Sequence, residues 1–179
     1  YLQVYARAAE RTALAGLDPA PRLQVALKTV QDIRKLGGSF LDAEQHSALA
    51  FLVSAADLVR NNADPAPSLA DFRAALTRCF ALADKDAMCR TLDARAAFVE
   101  ADWAARHNRP DLPTLSTAIE KATLATTSPE PFPDAWQTLA DAHLRLAAHA
   151  SSTPAQRDKH MYAAPRRAGG GTRKVTLTG

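Results

Sequence analysis

Apolar residues return at helical spacing along most of this chain. Leu69, Phe72, Leu76, Cys79 and Phe80 form one stripe of a predicted helix. A proline-rich turn, Asp64-Pro65-Ala66-Pro67, precedes that stripe, and the same turn stands 46 residues earlier at Asp18-Pro19-Ala20-Pro21. One more step of 46 residues lands on Pro110-Asp111-Leu112-Pro113. The register extends beyond the prolines: Leu23 and Leu69 share a column, as do Ala26, Phe72 and Ala118, then Val30, Leu76 and Ala122, then Ile33, Cys79 and Ala125. These columns predict short helices at 22–36, 68–83 and 114–126. Asp64 or Ser68 is available as N-cap of the second, with proline in its first turn and Asp71 three residues after Ser68. Gly37-Gly38, Asp84-Lys85-Asp86 and Ser128-Pro129-Glu130-Pro131 stop them. A longer helix follows each break, at about 42–62, 87–107 and 134–150, with Ala55, Ala101 and Ala147 in one column.

The fold class is therefore all-α. Stacked helical hairpins in which each unit covers its neighbour's apolar face make a solenoid, with units at about 18–63, 64–109 and 110–153 inside a repeat region spanning 1–150. Leu2–Ala15 reads as the last long helix of a preceding unit, and the chain, which begins at Tyr1, as a piece of a longer protein. On that reading the apolar face of Leu2–Ala15 is exposed and opens before the 68–126 hairpins.

The stretch Asp134-Ala135-Trp136-Gln137-Thr138-Leu139-Ala140-Asp141-Ala142-His143 resembles the tetratricopeptide signature. Trp136, Leu139, Ala140 and His143 stand where that family has tryptophan, leucine, a small residue and an aromatic-type position. Ala118, Ala122 and Ala125 followed by Pro129 are similar to its second-helix pattern. The signature tryptophan column holds Glu44 and Arg90 in the earlier units, which depart from the family there. The element Arg60-Asn61-Asn62-Ala63-Asp64-Pro65-Ala66-Pro67-Ser68-Leu69 is similar to the enlarged tetratricopeptide-like repeats that follow the catalytic domain of some bacterial serine/threonine protein kinases. That likeness covers roughly residues 6–150. It implies a right-handed superhelix and a non-catalytic regulatory or partner-binding region whose groove is lined by the long helices. Carried over from Trp136, the groove positions are Gln137, Asp141 and Arg145, with Thr91, Arg95 and Gln45 in the same columns of earlier units. Such residues clamp an extended protein or peptide partner by hydrogen bonds and ion pairs.

Charge and composition narrow the function further. The net charge of +3 hides a partition: from Arg157 onward the chain carries six basic residues and one acid, so residues 1–156 carry a net −2. The basic character belongs to a tail, read at 151–179 as a short helix and then a flexible segment, and the folded part has no general affinity for polyanions. No apolar run is long enough for a membrane span, and no signal peptide is visible. Cys79 and Cys89 read as two small buried apolar residues, although a turn at Asp84 brings them within approach of each other. A reducing cytoplasmic setting follows by default.

Candidate chemistry is sparse. Five histidines are scattered at 46, 107, 143, 149 and 160. Asp42 and His46 share a helix face, but two ligands do not hold a metal. Gly169–Lys174 lacks the strand and helix that a phosphate loop needs. There is no glycine-rich loop after a strand, no HRD-type loop and no DFG. The chain is read as non-enzymatic, without cofactor, metal or small-molecule substrate and without specific nucleic-acid binding. The rival readings are a stand-alone adaptor, a helical enzyme, and a polyanion binder acting through the tail.

Overall fold

The starts and stops that punctuate the sequence become helix ends for identifiable backbone reasons. A computed structural model of the chain describes residues 1–37, 40–109 and 111–148, and those residues hold seven helices and no strand. They are α1 (Leu2–Leu14), α2 (Ala20–Lys35), α3 (Leu41–Arg60), α4 (Ala66–Leu82), α5 (Ala87–Arg106), α6 (Leu112–Thr126) and α7 (Pro133–Ala148). α2, α4 and α6 begin 46 residues apart, and so do α3, α5 and α7.

Three helices close in the same way. Gly16, Asn62 and Asn108, again 46 residues apart, adopt the left-handed conformation with φ of 73°, 55° and 53°. The next amide then turns back onto the helix. The N–H of Leu17 donates to the Thr12 carbonyl at 3.0 Å, that of Ala63 to Leu58 at 2.8 Å, and that of Arg109 to Ala104 at 2.9 Å. These bonds satisfy carbonyls that a helix end otherwise leaves bare. The short helices also start alike. The Asp18 carboxylate accepts from the Ala20 N–H at 2.8 Å and the Asp64 carboxylate from the Ala66 N–H at 3.0 Å. Pro19 and Pro65 are fully buried beside them. At α2 and α4 the chain is thus turned before the second proline, and α2, α4 and α6 each start two residues earlier than the apolar pattern predicts. Ser68 is not a cap. It lies inside α4, with its hydroxyl 3.0 Å from that of Ser54.

The odd-numbered helices pack in succession, α1 on α3, α3 on α5 and α5 on α7, while each even-numbered helix lies against its two chain neighbours. Every member of the Leu23, Ala26 and Val30 columns is buried, as are Ala55, Ala101 and Ala147. Leu49, Phe72 and Leu92 sit in the main core shared by α1–α5; α6 and α7 join α5 through smaller clusters built largely of alanine.

Several expectations are corrected. Cys79 and Cys89 are bonded to each other as well as buried, because the turn after α4 brings their Cα atoms to 6.7 Å. The apolar face of α1 is not left open: Leu2, Ala6 and Ala9 are buried where α1 meets α2 and α3, and the exposed apolar side chains are Val4 and Leu14. Trp136 does not anchor α7, since it is 49% exposed while Ala135, Leu139 and Ala142 face inward. No helix among the described residues is long and apolar enough to cross a membrane. The end of the last long helix at 150, the proline at 110 and the tail at 151–179 lie outside the described residues.

Candidate functional site

Gln137, Asp141 and Arg145 are spaced four residues apart on α7, which puts them on one face of that helix. With side chains from α1, α3 and α5 they line a cavity of about 700 Å³. Its apolar surface comes from Leu52, Val53 and Ala56 on α3 and from Phe98 and Val99 on α5. Its polar surface is dominated by arginines held on carboxylates. Glu10, 7% exposed, takes Arg7 Nη1 at 3.1 Å on one oxygen and Arg95 Nη1 at 2.6 Å on the other. A buried carboxylate needs such partners to offset its lost hydration, and the pairing fastens α1 to α5. On the opposite wall Arg145 Nη1 lies 2.7 Å from Asp102 Oδ1 and its guanidinium stands over the Phe98 ring at 4.7 Å. Arg7 also reaches Asp134 Oδ2 at 3.7 Å and lies over Phe132 at 5.2 Å. Arg11 and Asp141 are the exposed charges of this cavity without an ion pair among the described residues.

Four of the sequence-predicted groove residues, Arg95, Gln137, Asp141 and Arg145, come together here. Two do not. Thr91 is fully buried, with its hydroxyl donating to the Ala87 carbonyl at 2.7 Å. That bond inside its own helix lets the residue sit in the interior with no polar group stranded. Gln45 donates from Nε2 to Asp86 at 2.9 Å and lines a second cavity, also about 700 Å³. The walls of the second cavity are Gln3 and Arg7 of α1, the start of α3, the Ala83–Met88 segment that leads into α5 and the Pro129–Pro133 segment that leads into α7. Arg7 and Phe132 line both cavities, so one arginine and one ring stand between them.

Sequence reasoning misses Arg7, Glu10 and Asp102, although the register contains them. Stepping back from Arg145 by 46 residues gives Val99, Val53 and Arg7, and stepping back from Asp102 gives Ala56 and Glu10; every one lines the main cavity.

The remaining chemistry candidates resolve simply. Asp42 and His46 do meet, with Nδ1 at 3.3 Å from the carboxylate and 2.8 Å from the Asp42 carbonyl oxygen. Cys79, Asp86 and Cys89 have ligand-type atoms within 4.8 Å of one another. The two sulfurs are spent on each other and Asp86 accepts from the Cys89 N–H and from Gln45, so the group offers no thiolate and no free carboxylate oxygen. No protein family, no curated protein and no solved structure matches the chain.

Proposed function

We propose that the chain is a non-catalytic protein-interaction module, a right-handed solenoid of tetratricopeptide-like hairpins that binds a peptide segment in the groove of its long helices. The observation that carries this reading is the main cavity, in which four helices of the odd-numbered row converge on an apolar floor with arginines and carboxylates around it. Apolar floor and charged rim together suit a peptide, whose side chains bring both surfaces. Among the described residues no cysteine, histidine, serine or lysine lines that cavity, and most of its charges are paired internally, which fits binding better than bond-breaking chemistry.

Placement within a larger bacterial serine/threonine protein kinase rests on the likeness of Arg60–Leu69 and of residues 6–150, and the exposure of Trp136 weighs against the tetratricopeptide signature itself. A cytoplasmic setting was argued from two unpaired cysteines, and the Cys79–Cys89 bond removes that support.

The test is a selection of peptides from a displayed library of random linear sequences, followed by titration calorimetry. Gln137 and Asp141 are exposed, so Gln137→Ala with Asp141→Ala leaves the fold intact and is expected to weaken a selected peptide about tenfold. Affinity unchanged by the pair of substitutions would sink the groove reading.

A further inference from the structure

The two cavities differ in how their charges are met. In the main one Glu10, Asp102 and Asp134 each face an arginine. In the second, among the described residues, the carboxylates of Asp42, Asp84, Asp86 and Glu130 stand against only Arg7 and Lys85 as permanent cations. Asp84 and Glu130 are exposed and in no ion pair among the described residues. Carboxylates gathered on a concave surface raise the local concentration of cations.

A second feature of this chamber points the same way. His46 lines it and is 3% exposed. Its Nδ1 lies 2.8 Å from a backbone carbonyl oxygen, which can only accept, so Nδ1 carries the hydrogen of the neutral ring. In the neutral ring the lone pair is then on Nε2, and Nε2 is buried without a partner among the described residues. A buried acceptor left unmet is costly, so a donor that gains contact with Nε2 on binding would relieve that cost. The chamber walls are stiff. The Ala83–Met88 turn lies inside the loop closed by the Cys79–Cys89 bond, and the facing turn carries Pro129, Pro131 and Pro133. Walls fixed in advance lower the ordering cost of binding.

We infer that the second chamber is the cationic half of the peptide groove: it takes a lysine or arginine side chain of an extended peptide whose remaining residues lie in the main cavity. The ammonium or guanidinium sits among Asp42, Asp84 and Glu130, with the His46 lone pair as the uncommitted acceptor behind them. This rests on the peptide-groove reading. The divider is weak, because the Arg7–Asp134 contact is long and partly exposed, and ion pairs of that kind contribute little. Arg7 keeps Glu10 as partner when it lets Asp134 go.

The probes are peptides selected from the random library against the full chain, and the same peptides with lysine and arginine replaced by glutamine. Selected sequences are expected to carry a basic residue toward one end. Asp84→Asn with Glu130→Gln is expected to weaken them about tenfold, and glutamine versions should bind the unaltered chain as weakly. Asp71→Asn with Glu120→Gln, exposed acids away from both cavities, should change affinity less than about twofold. Peptides that respond to the Gln137 and Asp141 substitutions but ignore those at Asp84 and Glu130 overturn this inference and leave the groove reading standing. Peptides that ignore both sets overturn both. Displacement of the selected peptides by calcium ion, with no need for a basic residue, would assign the chamber to a metal and overturn the inference as well.

Discussion

α4 and α6 occupy the same place in the 46-residue interval, and they fill their buried columns with different side chains. Phe72, Leu76 and Cys79 on α4 correspond to Ala118, Ala122 and Ala125 on α6, and all six are buried. A phenylalanine brings its own volume to the contact. An alanine has one methyl to hide, so the cover must come from the close approach of neighbouring backbone and from side chains sent by α5 and α7, such as Phe98, Leu139 and Leu146. The joints that follow differ too. Cys79 and Cys89 tie the end of α4 to the start of α5, while the same columns hold Ala125 and Ala135 at the α6–α7 joint. One spacing of buried positions is therefore filled in two ways, by large side chains and a cross-link in one hairpin and by close-set alanines in the other.

The largest expected effect breaks the α4 side of that contrast. Phe72 is 1% exposed in the main core, and Phe72→Ala should cost about 3–5 kcal/mol, read as a fall in the urea midpoint with little change in slope. A cost near that of an exposed site would mean that α4 packs loosely and that the contrast with α6 is only one of residue names.

Reduction of the disulfide comes next. Opening a short loop is expected to remove about 2–4 kcal/mol, with the Ala83–Met88 turn losing hydrogen-exchange protection first and the α6–α7 joint unchanged. Equal loosening at both joints would show that the cross-link is not what distinguishes them.

Helix positions were legible because prolines and apolar columns recur in one register, whereas the shared left-handed ends at 16, 62 and 108 show only in the backbone. What escaped notice depends on side-chain geometry instead. Ser68 has the composition of a cap, but Asp64 already turns the chain ahead of it. Thr91 looks like a groove residue until its hydroxyl is seen to bond within its own helix. Trp136 fits the signature by spacing, yet spacing does not say which way a large ring faces once alanines cover the contact. Of the main cavity, the α7 face was legible only through the resemblance that starts from Trp136, which points to Gln137, Asp141 and Arg145. Of the Arg7–Glu10–Arg95 cluster only Arg95 was legible, because in the register column of Arg145 two valines, Val99 and Val53, interrupt the charge before Arg7.

The smallest expected effect sharpens the comparison by testing where the two hairpins should not differ. Asn62 and Asn108 hold the same left-handed cap at the ends of α3 and α5, with φ of 55° and 53°. Asparagine tolerates that conformation because its short polar side chain can bond locally, whereas alanine gains nothing there and carries the clash of its Cβ. Asn62→Ala and Asn108→Ala should therefore each cost about 1 kcal/mol in chemical denaturation. The two costs should match closely, because both sites hold the same left-handed φ and the same returning amide bond. Agreement would locate the difference between the hairpins in their packed columns and leave the helix ends as a shared frame. A cost at Asn108 twice that at Asn62 would mean that the alanine-filled region leans on its cap for stability that α4 draws from Phe72 and Leu76.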